Sequence, residues 1–199
     1  MDYNDLVNRS QGWCSIEKME ALRREIECVI VNHATDHITA VELGVFGARS
    51  LIPVADAFRV CGVLGMVYGI DPWHTGEAVK GYDGENASWW GKVDLPEILK
   101  QAHILTGHYH FNDLITFVTS TSNQAAKLFS KIHFFHCDGQ HVLEQFKADM
   151  DNYLPKVVSG CPVIIDDVNW CGGKDASNYV ERCCDYKYSV GDCAFYVKK

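Results

Sequence analysis

Short apolar runs alternate with segments of helical periodicity through most of this chain. A helix is predicted over residues 15–31, where Met19 and Leu22 begin an apolar stripe that recurs at three- and four-residue steps. Residues 38–43 form a short apolar run that ends at Gly44, which is typical of a strand buried on both faces. Repetition of such pairs predicts parallel strands joined by helical crossovers, and therefore an α/β sheet.

The remaining elements follow the same order up to about residue 182. Residues 73–93 are rich in Gly and Trp and have no period, which predicts a loop. Gly191 and Asp192 separate two strand-like runs and predict a tight hairpin, so the sheet is a doubly wound one with an antiparallel edge. Further strands are predicted over 64–70, 114–118, 132–137, 162–165, 186–190 and 193–197, and helices over 49–60, 94–105, 123–129 and 142–153.

Length and charge narrow the class of protein. The chain has 199 residues, which predicts a single domain with a helical lead-in over 1–36 and a core over 37–199. The net charge is −8, which argues against a nucleic-acid or anionic-membrane partner. The nine cysteines are odd in number and contain no CxxC pair, and the acidic N-terminus does not resemble a signal peptide. Cys28, Cys61 and Cys137 lie inside apolar runs and are expected to be buried in the core. The expectation is a cytoplasmic protein with reduced cysteines.

Ligands of open parallel sheets bind beyond the carboxyl ends of the strands. The first strand is followed by Gly44 and Gly47, which let a ligand approach the backbone closely. This turn is neither GxGxxG nor a P-loop, and a plain strand-to-helix turn is the alternative. The second strand ends at Asp71, whose carboxylate is able to accept hydrogen bonds from ribose hydroxyls. The alternative for Asp71 is a turn cap.

Three acids follow two later strands. Asp138 comes after the fourth strand, and Asp166 and Asp167 come after the fifth. Three carboxylates at adjacent strand ends repel one another, and a divalent cation relieves that repulsion. Oxygen ligands suit Mg²⁺ or Ca²⁺ better than zinc, so the pattern predicts a site for one of these two cations. Two solvated loop ends are the alternative.

Six segments in order resemble one known family. They read VELGVFGARS, YGIDPW, TSTSNQAAKLF, FFHCDGQH, DNYLPKVVSG and VIIDDVNW. Together they resemble the class I S-adenosylmethionine-dependent methyltransferases, in the small-molecule O-methyltransferase branch that includes macrocin-type sugar methyltransferases and the cephalosporin-biosynthesis protein. The resemblance covers about residues 38–198.

The resemblance implies a Rossmann-like sheet of about seven strands, with the last strand antiparallel, and a set of ligand residues. Asp71 holds the ribose hydroxyls, and Asp138, Asp166 and Asp167 bind Mg²⁺ or Mn²⁺. Gln140 stands where many members carry Asp or Asn, which weakens the metal site. The full set implied to bind S-adenosylmethionine is Glu42, Gly44, Val45, Phe46, Gly47, Ser50, Asp71, Pro72, Trp73, Ser120, Thr121, Ser122 and Asp138.

The proposed catalytic residues are His141 and Asp138. His141 follows Asp138 by three residues, the offset at which related metal-dependent catechol methyltransferases carry a lysine base. A neutral imidazole near pH 7 is suited to accept a hydroxyl proton. The alternative is a histidine that only caps the next helix. The side chains expected to contact the acceptor are Trp89, Trp90, Trp170 and His74, with loop anchoring or core packing as alternatives for the tryptophans.

The sequence therefore predicts an O-methyltransferase that uses S-adenosylmethionine and a divalent metal. The expected acceptor is a hydroxyl of a sugar, glycan or other small molecule, and homo-oligomerisation is left open. One alternative is an NAD-dependent oxidoreductase, which the lack of GxGxxG disfavours. The other alternative is a non-catalytic nucleoside-binding subunit.

Overall fold

A computed structural model describes residues 1–33, 37–170 and 173–199. Within these ranges the strands are β1 Ile38–Leu43, β2 Gly65–Asp71, β3 Ile115–Thr119, β4 Phe134–Cys137, β5 Pro162–Ile165, β6 Cys184–Val190 and β7 Cys193–Lys198. The α-helices in the same ranges are α1 Tyr3–Arg9, α2 Ile16–Asn32, α3 Leu51–Cys61, α4 Thr75–Ala78, α5 Gly84–Trp90, α6 Leu95–His108, α7 Ser122–Ala125, α8 Leu143–Tyr153 and α9 Lys174–Glu181.

The described strands form one sheet in the order β3-β2-β1-β4-β5-β7-β6. β1 pairs in parallel with both β2 and β4, whereas β7 runs antiparallel to β5 and β6. Right-handed crossovers then place α3, which joins β1 to β2, and α8, which joins β4 to β5, on opposite faces of the sheet. The predicted α/β doubly wound sheet, with its antiparallel C-terminal hairpin strand, is confirmed.

Local capping explains several element boundaries. The Ser15 side chain accepts a hydrogen bond from the backbone N–H of Lys18 and begins α2. The Asp94 side chain does the same for Glu97 and begins α6, as predicted, although α6 continues beyond the predicted residue 105. Gly62 ends α3 at a φ of 64°, where a glycine avoids the strain of a side chain.

Four sequence predictions need correction. The 73–93 segment is not a plain loop, because it contains α4 and α5, which are too short to show an apolar period. The fourth strand begins at Phe134, since Ile132 makes only an isolated bridge to Val157. Cys28 and Cys61, expected inside the core, are exposed because each lies on the outer side of its helix.

The N-terminal segment crosses the carboxyl end of the sheet and is held there by Arg49. The Arg49 guanidinium donates hydrogen bonds to the backbone oxygens of Ser10 (2.6 Å) and Cys14 (3.3 Å) and to the Ser10 hydroxyl (2.7 Å). This anchor fixes where the chain enters α2. In the described ranges, none of the helices has the length and apolar character needed to cross a membrane.

Candidate active site

The candidate site lies where the strand order reverses, between the carboxyl ends of β1 and β4. Gly44 follows β1 at a φ of 76°, and a Cβ built there would overlap the backbone carbonyl of Asp138. A Cβ at Gly47 would overlap the backbone oxygen of Gln11. Both predicted glycines are therefore required by close backbone approach, and in this structure the approaching groups belong to the chain itself.

Asp71, at the end of β2, connects two turns: the one after β1 that contains Gly44 and Gly47, here called the glycine turn, and the one after β2. Its Oδ2 accepts hydrogen bonds from the backbone N–H of Val45 (3.0 Å) and Phe46 (3.1 Å), and its Oδ1 accepts one from Trp73 (2.8 Å), beyond Pro72. Phe46 and Trp73 have φ values of 48° and 42°, which bulky residues rarely adopt, so these bonds stabilise strained backbone. Burial raises the pKa of Asp71, against the lowering effect of the three N–H groups.

The predicted adenine loop, residues 120–122, follows β3 and is tied to α8. The Ser122 hydroxyl accepts a hydrogen bond from Gln145 Nε2 (3.2 Å), and the Ser122 backbone oxygen accepts one from the Tyr153 hydroxyl (2.8 Å). Thr121 caps α7, and the Ser120 hydroxyl donates to the Thr121 backbone oxygen (3.2 Å). The ends of β3, β2, β1 and β4 thus carry the predicted cofactor residues side by side.

Asp149 is a buried acid behind this loop. Its Oδ1 accepts a hydrogen bond from Gln145 Nε2 at 2.9 Å, and its side chain is almost fully inaccessible. Burial raises the pKa of Asp149 to about 6, while hydrogen bonds from Ser122 and Gln145 act in the opposite direction. The loop is therefore supported by a group that is costly to ionise.

The pKa of Asp149 predicts a pH-dependent stability. Its folded pKa lies above the unfolded value of 3.8, so the folded state binds the proton more tightly and loses stability as pH rises from about 4 to 6. The loss is at most about 3 kcal/mol. We expect Asp149→Asn to remove this loss and to be more stable than wild type at about pH 8 in urea titrations.

The exposed Asp151, on the same helix, provides the control for this measurement. Its carboxylate accepts a hydrogen bond from the Tyr179 hydroxyl, and Asp151→Asn should retain the loss of stability that Asp149→Asn removes. Parallel curves for wild type and Asp149→Asn between about pH 4 and 8 would contradict the prediction.

Glu42 belongs to a buried hydrogen-bonded group. Its Oε1 accepts a hydrogen bond from the Ser50 hydroxyl (2.6 Å), and its Oε2 lies 2.8 Å from His136 Nδ1. His136 Nε2 in turn lies 4.0 Å from Asp138 Oδ2. His136 was not among the predicted site residues. It lies in β4, and the register of the sheet places it beside Glu42 in β1.

The three predicted acids meet at the ends of β4 and β5, but they share this place with Lys18. The Lys18 ammonium lies 3.1 Å from Asp138 Oδ2 and makes a short ion pair with Asp166 Oδ2. The Lys18 side chain is only 6% exposed. Burial raises the pKa of Asp138, whereas at Asp166 the ammonium outweighs burial and lowers the pKa.

The predicted metal ligands therefore do not fit a divalent cation as a set. Asp138 and Asp166 direct their Oδ2 atoms at the Lys18 ammonium, whose positive charge opposes a Mg²⁺ ion at the same acids. Among the described residues, possible ligand atoms of His136, Asp138 and Asp166 lie within 4.8 Å of one another, and so do those of Asp138, His141 and Asp167. Each group contains an imidazole nitrogen, which Mg²⁺ does not favour.

His141 and Asp167 form a hydrogen-bonded pair beside the acids. His141 Nε2 lies 3.1 Å from Asp167 Oδ2, and the His141 backbone N–H donates to the Tyr82 hydroxyl at 2.9 Å. The Trp170 ring, which is 64% exposed, packs edge-on against the His141 ring at 5.8 Å. Trp170 is therefore not a core residue. Asp167 has a φ of 47°, a strained conformation that directs its side chain.

Four aromatic side chains form a cluster over the glycine turn. Trp13 lies 5.2 Å from Phe46 and 5.4 Å from Trp89 between ring centroids, and Trp90 lies 4.8 Å from Trp89 and 6.0 Å from Phe46. We call Trp13, Phe46, Trp89 and Trp90 the aromatic cluster. His74 is exposed at the start of α4 and is not a member of this cluster.

A comparison with family models shows the class of protein. Residues 41–168, more than half of the chain, match the model of a methyltransferase domain. The chain belongs to this methyltransferase family. The resemblance to class I S-adenosylmethionine-dependent methyltransferases is confirmed in family and fold, and the sheet order described above is the fold that the resemblance implies.

Several solved structures share the fold of this methyltransferase domain. The O-methyltransferase NovP is 22% identical, with a TM-score of 0.73, over 93% of this chain and 81% of NovP. CalS11, a TDP-rhamnose 3′-O-methyltransferase of calicheamicin biosynthesis, is 16% identical, with a TM-score of 0.57, over 92% of this chain and 81% of its own. The SAH-bound methyltransferase PaMTH1 of Podospora anserina is 10% identical, with a TM-score of 0.59, over 96% of this chain and 89% of its own. A comparison with curated protein sequences gave no match.

Proposed function

We propose that this protein is an S-adenosylmethionine-dependent O-methyltransferase that acts on a hydroxyl of a sugar, glycan or related small molecule. The observation that carries the proposal is the His141–Asp167 pair, 3.1 Å apart, at strand ends adjacent to the glycine turn of a methyltransferase fold. The structural relatives NovP, an O-methyltransferase, and CalS11, a TDP-rhamnose 3′-O-methyltransferase, support the choice of acceptor.

The chemistry of the strand ends fits a nucleoside cofactor. Asp71 accepts three backbone hydrogen bonds, and because a carboxylate has about four acceptor positions, it retains capacity for a ribose hydroxyl. The 120–122 loop at β3 and the glycine turn at β1 flank Asp71 on either side in the sheet. When bound, S-adenosylmethionine supplies an electrophilic methyl group on a sulfonium sulfur.

In the proposed reaction His141 is the general base. The imidazole, held 3.1 Å from Asp167 through Nε2, accepts the proton of the acceptor hydroxyl. The hydroxyl oxygen then forms the new O–C bond as the C–S bond breaks, giving a methyl ether and S-adenosylhomocysteine. Asp167 holds the tautomer and orientation of the imidazole. Asp138, the second catalytic candidate, is a weaker choice because its carboxylate is paired with Lys18.

The aromatic side chains support a ring-shaped acceptor. Trp89 is 45% exposed and Trp170 is 64% exposed, so both offer apolar surface near the proposed base and the glycine turn. Aromatic faces pack on the apolar faces of sugar rings, which is why we retain Trp89, Trp90 and Trp170 as acceptor contacts. His74, exposed at the start of α4, is retained with them as a proposed contact.

The first test of the proposed function is binding. We expect S-adenosylmethionine and S-adenosylhomocysteine, each at about 100 times its dissociation constant, to raise Tm by about 5 to 10 °C. NAD should leave Tm unchanged. Stabilisation by NAD alone would contradict the proposal and favour an oxidoreductase. Methyl transfer is then assayed against sugars, nucleotide-sugars and phenols, and a protein that binds the cofactor but methylates none of them would favour a non-catalytic subunit.

Dependence on Mg²⁺ or Mn²⁺ stays a prediction of the family resemblance. Its support here is the proximity of Asp138, His141 and Asp167, whose ligand atoms lie within 4.8 Å of one another. The ion pairs of Lys18 with Asp138 and Asp166 oppose the ligand set that the resemblance implies. The reaction proposed above therefore assigns the proton transfer to His141 alone.

A further inference from the structure

Lys18 is a charged residue on the apolar stripe of α2. It is 5% exposed, and its helix neighbours Met19 and Leu22 are fully buried. A lysine at such a position loses its hydration and is retained only if acids pair with it. Its position is held by the Ser15 cap at the start of α2 and by the Arg49 anchor on the preceding segment.

The ammonium lies between carboxylates from two strands. Its nitrogen contacts Asp138, which follows β4, and Asp166, which follows β5, and both contacts use the Oδ2 atom. An ammonium is a compact point charge with three N–H donors, so it is able to bridge two carboxylates as a metal ion does. Because the ammonium takes one oxygen of each acid and brings its own positive charge, it competes with a Mg²⁺ ion for this place.

The charge of the surrounding residues points the same way. The ammonium lies against Asp138 and Asp166 and offsets part of their negative charge, as a divalent cation would. The third acid, Asp167, lies 3.1 Å from His141 Nε2.

We propose that Lys18 is a built-in cation that occupies the metal position of this methyltransferase, so that methyl transfer proceeds without a divalent ion. Lys18 is a positioning residue in this arrangement, because it pairs with Asp138, which lies close to His141, and does not itself contact the reacting atoms. The inference rests on the proposed function for its activity test, but its binding test is independent of any acceptor.

The binding test uses Mn²⁺ alone, titrated and followed by electron paramagnetic resonance. We expect Lys18→Met to bind Mn²⁺ at least about tenfold more tightly than wild type, because the substitution removes a positive charge within hydrogen-bonding distance of both ligands. Lys187→Met is the matched control. Lys187, in β6, also pairs with a buried acid, Glu25, which lies two turns further along α2 than Lys18. The control should show no gain in Mn²⁺ affinity.

Measurements on the wild-type protein keep the test valid even if Lys18→Met fails to fold. We expect Asp166→Asn to leave any Mn²⁺ binding by the protein unchanged, because Asp166 is already paired with Lys18. We also expect wild type to transfer methyl groups at equal rates in EDTA and in Mg²⁺. Asp166-dependent Mn²⁺ binding by wild type, loss of activity in EDTA that Mg²⁺ restores, or no gain of affinity in folded Lys18→Met would each overturn the proposal. Failure of the proposed function itself would be seen separately, as absence of S-adenosylmethionine binding in calorimetry.

Discussion

Replacement of His141 by alanine should lower kcat by a factor of roughly 10²–10⁴. The substitution removes the imidazole that is held 3.1 Å from Asp167 and is the proposed proton acceptor. The affinity for S-adenosylmethionine should be nearly unchanged, because the predicted cofactor residues other than Asp138 lie in or after β1, β2 and β3. Steady-state kinetics with a methylated acceptor, together with calorimetric titration of the cofactor, measure the two effects separately.

Two further variants make this test specific. His108→Ala removes an exposed histidine at the end of α6 and should leave kcat unchanged. Asp167→Asn should also lower kcat, and the double variant should be no slower than His141→Ala alone, because the two residues act as one unit. A near-normal kcat for His141→Ala from about pH 6 to 9 would reject the base and leave Asp138 as the better candidate.

Replacement of Asp71 by alanine should weaken S-adenosylmethionine binding tenfold or more. A charge-assisted hydrogen bond contributes about 1.5–3 kcal/mol, and the one remaining acceptor position of Asp71 is proposed to serve a ribose hydroxyl. The substitution also removes the acceptor for three backbone N–H groups, two of which belong to the strained residues Phe46 and Trp73. We therefore expect a lower urea midpoint as well as a larger calorimetric Kd.

Asp94→Ala separates these two consequences. The Asp94 side chain also accepts a backbone hydrogen bond, from Glu97 at the start of α6. Loss of this cap should lower the free energy of unfolding by about 1 kcal/mol. Cofactor affinity should not change in this control. An Asp71→Ala protein that binds S-adenosylmethionine as tightly as wild type would show that Asp71 serves the turn alone.

The fold was predictable because its signals are local and repeated. The boundaries of β1 and β5 and the caps at Ser15 and Asp94 follow from apolar runs and capping chemistry that need no tertiary information. The meeting of Asp138 with Asp166 also follows, since parallel strands end at the same edge of the sheet. By contrast, α4 and α5 have only four and seven residues, and their short lengths leave no period to detect.

The parts of the site that were missed depend on contacts between distant segments. Lys18 stands four residues before Leu22 on the buried stripe of α2, and this misplaced charge was the available signal for a buried ion pair. No local pattern identifies Asp138 and Asp166 as its partners. The sequence likewise did not decide whether Asp71 caps a turn or binds a ribose. That choice depends on where the glycine turn lies in space, because the turn supplies two of the N–H groups that Asp71 accepts.

The ion pair between Lys18 and Asp166 also sets a time order for the assembly of the protein. The two residues are separated by 148 positions, so at translation rates of roughly 5–20 residues per second the acid is synthesised about 7 to 30 s after its base. During that interval α2 exposes both an apolar face and an unpaired ammonium to the ribosome exit region. The nascent chain can complete β1 to β3 early, but the charge balance of its catalytic edge is completed only when the fifth strand emerges.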